Sequence, residues 1–206
     1  MLDKILSESP DVRRLQSKAA QALARLGFTA NFATLIAVAT GILSGMTFAD
    51  RNAGLGILLL AISAAMDALD GTIARETAQP TLRGGVSDLI ADRIVESAVI
   101  IGIALPYPIL YLPALVLVAS WYINITVFLA VGAALERRGP KLIEYPPGIL
   151  ERTEVLLFFA VLGAIMSIGF LRSAGPVLCY AMTALEIATG AQRFLFGWRL
   201  LNRESP

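Results

Sequence analysis

Six apolar stretches, each close to the thickness of a bilayer when helical, leave this chain few folds to choose from. They run from about Asn31 to Phe48, Ala53 to Ile73, Val86 to Ile109, Leu110 to Ala134, Val155 to Leu171 and Pro176 to Trp198. A helix needs ~20 residues to cross a ~30 Å hydrocarbon core. Hydrophobic residues make up 56% of the 206 positions and charged ones 16%, with a mean hydropathy of +0.70. That balance is too apolar for an ordinary soluble domain. The sequence therefore predicts an all-α integral membrane protein with six transmembrane helices.

Ahead of the first span lies a more charged segment, residues 1–28. Val12, Leu15, Ala19, Ala22, Leu23 and Leu26 recur there at helical spacing, with Arg13, Arg14, Lys18 and Arg25 on other faces. This pattern predicts an amphipathic helix lying on the membrane surface, with a plain solvated helix as the alternative. Asp3, Glu8 and Asp11 interrupt the segment, so it does not read as a secretory signal. Residues 29–206 then form one transmembrane domain. Its third and fourth spans meet at ALPYPILYLP, where Pro106, Pro108 and Pro113 favour a turn and Tyr107 and Tyr111 suit an interface.

Basic residues set the orientation. Of the 17 Lys and Arg, one set of loops holds only Arg51 and Arg172, Arg93 lies inside the third span, and the rest gather at the other end. The positive-inside rule then puts both termini in the cytoplasm, together with the segment between the second and third spans. Compact size and the lack of targeting signals point to a prokaryotic plasma membrane.

That segment carries the chemistry. Asp67 and Asp70 stand at i and i+3, and Asp88 and Asp92 at i and i+4, so each pair shares a helix face. Two helix ends that each offer two carboxylates suit a hard cation such as Mg²⁺. Gly71 and Gly84 adjoin the pairs where a close backbone approach is needed. Arg75, a turn beyond Gly71, is placed to meet a phosphate held by the same metal. The chain contains no His, which removes His-ligated zinc and Ser–His or Cys–His nucleophiles and leaves carboxylates, cations and metal. Cys179 is single and sits in an apolar run, so it reads as packing. A net charge of +1 gives no sign of a nucleic-acid partner, and none is expected.

Asp67, Asp70, Gly71, Ala74, Arg75, Gly84, Asp88 and Asp92 fit D-x2-D-G-x2-A-R-x8-G-x3-D-x3-D without a gap. On this motif the chain resembles the CDP-alcohol phosphatidyltransferases, from about Thr29 to Arg193. The resemblance implies transfer of a phosphatidyl-type group from a CDP-linked lipid, CDP-diacylglycerol or a CDP-archaeol type, to an alcohol with release of CMP. It implies two ions of Mg²⁺ or Mn²⁺ on Asp67, Asp70 and Asp88, with Asp92 touching the second ion or taking the acceptor proton. Asp88 and Asp92 are thus the catalytic candidates. A homodimer is common in the family. Thr29, Asn31 and Thr34 resemble the family's T-P-N-x-x-T opening, with Ala30 in place of Pro. They join Asp67, Gly71, Ala74, Arg75 and Gly84 as expected nucleotide ligands, while an N-cap remains the other reading of Thr29.

The acceptor is expected to be a small polar alcohol, favoured as a phosphorylated polyol such as glycerol 3-phosphate or inositol phosphate, with serine or a free polyol as the alternative. Arg137, Arg138, Lys141, Arg152 and Arg193 are the candidate ligands. Binding of anionic lipid is the competing reading of the loop cations. The segment ERTE, Glu151 to Glu154, resembles the E-R-P-E of phosphatidylinositol-phosphate synthases. Gly132 to Glu136 reads GAALE where those synthases carry K-A-R-A-E. Glu96, Glu154 and Glu186 are expected to pair with arginines inside the bundle. Two other classes join carboxylates and membrane helices. An intramembrane prenyltransferase places Asn before its first Asp and repeats D-x3-D, whereas Met66 and Ala74 stand there. A divalent-cation transporter distributes its acids through the membrane depth, whereas these four cluster at one end.

Overall fold

The computed structural model describes residues 10–77, 81–136 and 150–203, and every regular element among them is helical. The helices are α1 (Pro10–Arg25), α2 (Ala30–Ala49), α3 (Ala53–Glu76), α4 (Leu82–Ala104), α5 (Tyr111–Glu136), α6 (Arg152–Ser167) and α7 (Ala174–Arg203), with 3-10 turns at Pro108–Leu110 and Gly169–Leu171. Each expected span corresponds to one helix. The third ends at Ala104 rather than near Ile109, because Pro106 and Pro108 divert the chain into a 3-10 turn. Pro113 is tolerated in the first turn of α5, where its missing N–H has no partner to lose.

Among the described residues three stretches, Ala30–Ala49, Ala53–Glu76 and Pro108–Ala134, are long and apolar enough to cross a membrane. α6 is only 16 residues long, and α4 and α7 carry charges at Asp88, Asp92, Arg93, Glu96, Glu186 and Arg193.

Polar side chains start the helices. Thr29 Oγ1 accepts from the Phe32 N–H at 3.2 Å, Asn52 Oδ1 from Leu55 at 3.2 Å and Thr81 Oγ1 from Gly84 at 3.0 Å. α2 packs along both α3 and α4, α5 along α7, and α6 bridges α3 and α7. Hydroxyls join helices where water cannot: Ser44 Oγ donates to the Gly56 carbonyl at 2.7 Å and Ser63 Oγ to Ala37 at 2.7 Å. Gly45 and Gly102 bring α2 and α4 together backbone on backbone, since a Cβ at Gly102 would fall onto the Gly45 carbonyl. Phe48, Val99, Leu117, Phe159, Leu162 and Met166 form the core, while Leu35, Leu58, Ile101, Leu115, Val161 and Ile187 point outward. Helices that are apolar all round match a lipid surround.

α1 closes one end. Ala20 packs with Ala33 and Ile73, and Glu76 accepts from Ser17 Oγ at 2.6 Å and Gln21 Nε2 at 3.0 Å. Of the apolar positions at helical spacing, Leu23 packs against this group while Leu15 and Leu26 are exposed. At the opposite end, Arg51 and Arg172 both stack on Tyr107, their guanidinium carbons 5.6 and 5.1 Å from the ring centre.

Candidate active site

The last turns of α3 and the first turns of α4 meet beside α2. One carboxylate oxygen from each of Asp67, Asp70 and Asp88 lies within 4.8 Å of the other two. Helical spacing explains the convergence: Asp67 and Asp70 share one face of α3, and Asp88 projects from the facing turn of α4. Thr34 Oγ1 reaches across from α2 to Asp70 Oδ2 at 2.5 Å, with the Ala30 carbonyl 3.1 Å away. Asp88 Oδ1 is buried without a hydrogen-bond partner among the described residues. Three hard oxygen donors, one of them unsatisfied, fit Mg²⁺ or Mn²⁺.

Asp92 stands apart from this triad and turns to Arg152. Nη1 of Arg152 contacts Oδ1 of both Asp67 and Asp92, and lies 4.0 Å from Asp88 Oδ1. The guanidinium enters from the first turn of α6, whose start is fixed twice. The Glu151 N–H donates to Glu154 Oε2 at 3.1 Å in a capping box, and the Leu150 N–H donates to Thr189 Oγ1 of α7 at 3.3 Å. In ERTE, then, Glu154 shapes the helix end that aims Arg152.

On the α2 side, Asn31, Thr34, Asp70, Gly71, Ala74, Arg75, Gly84 and Asp88 line one cavity of about 250 Å³. Of the eight expected nucleotide ligands this cavity holds six, while Asp67 lines a neighbouring cavity together with Arg152. Arg75 is steadied by Thr72 Oγ1, which accepts from Nη2 at 3.0 Å. A Cβ built on Gly71 would meet only Arg75 Nη1, at 3.4 Å, so the glycine leaves that wall open. Thr29 does not line the cavity, because its hydroxyl caps α2.

On the other side of Arg152 lies a second cavity, of about 150 Å³, walled by Arg93, Glu96, Trp121, Asn124, Glu186 and Arg193 among others. Arg93 forms a two-pronged pair with Glu96, both contacts at 2.8 Å. Glu186 takes an amide instead of an arginine: Asn124 Nδ2 donates to its Oε2 at 2.5 Å, and Arg193 Nη1 donates to Asn124 Oδ1 at 3.0 Å. Of the candidate acceptor ligands, Arg152 and Arg193 border this cavity, while Arg137, Arg138 and Lys141 lie outside the described residues. Sequence reasoning missed Asn124. Its signal was a lone amide in the middle of an apolar span, beside Trp121.

Comparison with known proteins identifies relatives of this chain in sequence and in fold. The family model of the CDP-alcohol phosphatidyltransferases matches residues 28–191. The archaetidylinositol phosphate synthase of Pyrococcus horikoshii is 32% identical over 172 residues, 82% of this chain and 86% of that protein. The phosphatidylinositol phosphate synthase of Mycobacteroides abscessus is 30% identical over 188 residues, 87% of this chain and 82% of that protein. In fold, the chain resembles the phosphatidylinositol phosphate synthase of Mycobacterium tuberculosis solved with CDP-DAG bound, with a TM-score of 0.74 at 21% identity over 90% of this chain and 94% of that one. The same enzyme solved with manganese and citrate gives a TM-score of 0.74 at 21% identity, over 89% of this chain and 88% of that one. With the motif, the fold and the sequence match in agreement, this chain belongs to the CDP-alcohol phosphatidyltransferase family and is an enzyme that transfers a phosphatidyl-type group from a CDP-linked lipid to an alcohol.

Proposed function

We propose that the acceptor is a phosphorylated polyol, inositol phosphate first and glycerol 3-phosphate second. One observation carries this reading: Arg152 belongs at once to the carboxylate cluster, through Asp67 and Asp92, and to the wall of the cavity that holds Arg93 and Arg193. An anion drawn into that cavity stands next to the cation site, where its hydroxyl is needed. Relatives named for inositol phosphate products support the first choice. They do so although Gly132 to Glu136 lacks the Lys and Arg that such synthases carry there.

In this reading Asp67, Asp70 and Asp88 hold the divalent cation, and Asp92 completes the shell of a second ion or takes the acceptor proton. When bound, the metal supplies Lewis-acid stabilisation of the diphosphate and of departing CMP. Asn31, Thr34, Gly71, Ala74, Arg75 and Gly84 cradle the CDP moiety. Arg193 and Arg152 take the acceptor phosphate as charge-assisted donors. The acceptor oxygen attacks the lipid-side phosphorus, the bond from that phosphorus to the CMP oxygen breaks, and the hydroxyl proton passes to Asp92.

The bundle sits in the membrane with α2 to α7 as six spans, the charges of α4 and α7 turned into the cavities. α1 lies on the cytoplasmic surface with Leu15 and Leu26 in lipid, and both termini and the cluster face the cytoplasm. Arg51 and Arg172, stacked together on Tyr107, mark the opposite side.

The test is CMP release by the purified chain with Mg²⁺ or Mn²⁺, CDP-diacylglycerol, and inositol 1-phosphate, glycerol 3-phosphate, free inositol or serine, with Asp70→Asn as the blank. Release with a phosphorylated polyol, absent in the blank, is the expected result. Release with serine or free inositol alone overturns the acceptor assignment.

A further inference from the structure

Two of the three guanidiniums around the smaller cavity are already matched by carboxylates: Arg93 by Glu96, and Arg152 by Asp67 and Asp92. Arg193 differs. Among the described residues no carboxylate forms an ion pair with it. Its Nη1 donates to the neutral amide of Asn124 at 3.0 Å, its guanidinium carbon lies 5.3 Å from the centre of the Phe128 ring, and its Nε is buried without an acceptor. Yet a carboxylate is close at hand. Glu186 stands two turns earlier on α7, on the same face as Arg193, and is 4% exposed.

Asn124 separates them. Its Nδ2 donates to Glu186 Oε2 at 2.5 Å while its Oδ1 accepts from Arg193. The chemistry fixes that orientation, since a flipped amide would set donor against donor and acceptor against acceptor. Only an amide satisfies both neighbours here. Aspartate would accept from the guanidinium and neutralise it, and an apolar residue would leave Glu186 and Arg193 to seek each other. A direct buried pair would spend the cation on an internal partner. With Asn124 in place both groups are hydrogen-bonded, their charges act on each other only across the amide, and Arg193 borders the cavity without a direct ion pair among the described residues.

We infer that Asn124 is a positioning residue that insulates Arg193 from Glu186 and so sets the affinity of the site for an anionic acceptor. This rests on the smaller cavity being the acceptor's, and on that acceptor carrying a phosphate.

The experiment measures kcat and both KM values of the full chain in detergent, with CDP-diacylglycerol and inositol 1-phosphate or glycerol 3-phosphate. Asn124→Ala is expected to raise the KM for the phosphorylated acceptor ~10-fold, leaving kcat and the CDP-lipid KM within about twofold. Asn124→Ala combined with Glu186→Gln is expected to recover most of that loss, because the competing carboxylate is gone. A residue that merely packs would make the double variant the worse of the two. An unchanged acceptor KM in Asn124→Ala, equal damage to every constant, or a double variant no better than the single overturns the inference. Where Asn124→Ala does not fold, Glu186→Gln alone decides, since insulation requires its acceptor KM to stay or fall and a ~10-fold rise overturns it. Wild-type enzyme that prefers free inositol or serine overturns the phosphorylated-acceptor assignment, and this inference with it. Wild-type preference for the phosphate with an insensitive Asn124 overturns this inference alone.

Discussion

The hydroxyl of Thr34 lies 2.5 Å from Oδ2 of Asp70, linking the first turns of α2 to a carboxylate of the cation cluster on α3. The contact restrains one oxygen of Asp70 and joins the cavity on the α2 side to the cluster, since both residues line that cavity. Partners of this kind orient the ligands of a metal rather than touching it. Thr34→Val keeps the shape and removes the donor. It is expected to raise the Mg²⁺ concentration for half-maximal CMP release by ~10-fold, while Thr34→Ser stays close to wild type. Equal metal dependence in both variants would separate Thr34 from the cluster.

Arg152 places a positive charge where a cation would otherwise neutralise Asp67 and Asp92. Arg152→Gln is therefore expected to tighten Mn²⁺ binding in the absence of both substrates, by ~10-fold, because a competing cation is removed. The same variant should raise the KM for the phosphorylated acceptor. Calorimetric titration with Mn²⁺ reads the first effect without turnover. Weaker binding would mean instead that Arg152 builds the cluster by holding its carboxylates together.

At the crossing of α2 and α4, the Gly102 Cα faces the backbone of Gly45. No side-chain rotation relieves a Cβ there, so Gly102→Ala forces the helices apart. The expected cost is about 1–3 kcal/mol, seen as a lower Tm in detergent. Gly54→Ala is the control, with nothing within 4 Å of the added atom, and should leave Tm unchanged or higher. A Gly102→Ala protein as stable as wild type would contradict the close crossing.

Arg51 and Arg172 both lie over the Tyr107 ring, and both also donate to backbone carbonyls, Arg51 Nη2 to Pro106 at 3.3 Å and Arg172 Nε to Met166 at 3.0 Å. Tyr107→Phe keeps the ring face and should retain stability. Tyr107→Leu removes both cation–π contacts and is expected to cost about 1–2 kcal/mol, with CMP release preserved below the melting transition because the stack lies at the opposite end from the aspartates. Thermal melts of the two variants side by side check this.

Much of the architecture could be read along the chain, because its signals are local. Six apolar stretches became six helices, and prolines ended α4 where hydropathy alone ran on to Ile109. Spacing alone puts Asp67 with Asp70 on one helix face and Asp88 with Asp92 on another; the structure gathers three of these carboxylates, Asp67, Asp70 and Asp88, and turns Asp92 to Arg152. Sequence spacing leaves Thr29 open between two roles, and its cap on α2 is a matter of backbone geometry that spacing does not fix.

The sequence by itself determined the helical bundle, the family and the two carboxylate pairs, since each follows from periodicity or from one short continuous motif. The partners of the arginines were decided only by the tertiary structure. Asp67, Asp92 and Arg152 come from three helices, and Asn124, Glu186 and Arg193 from two, so which charge meets which depends on how the helices cross. A long guanidinium side chain reaches several carboxylates from one backbone position. Packing chooses among them, which is why Arg152 closes on the cluster while an amide stands between Glu186 and Arg193.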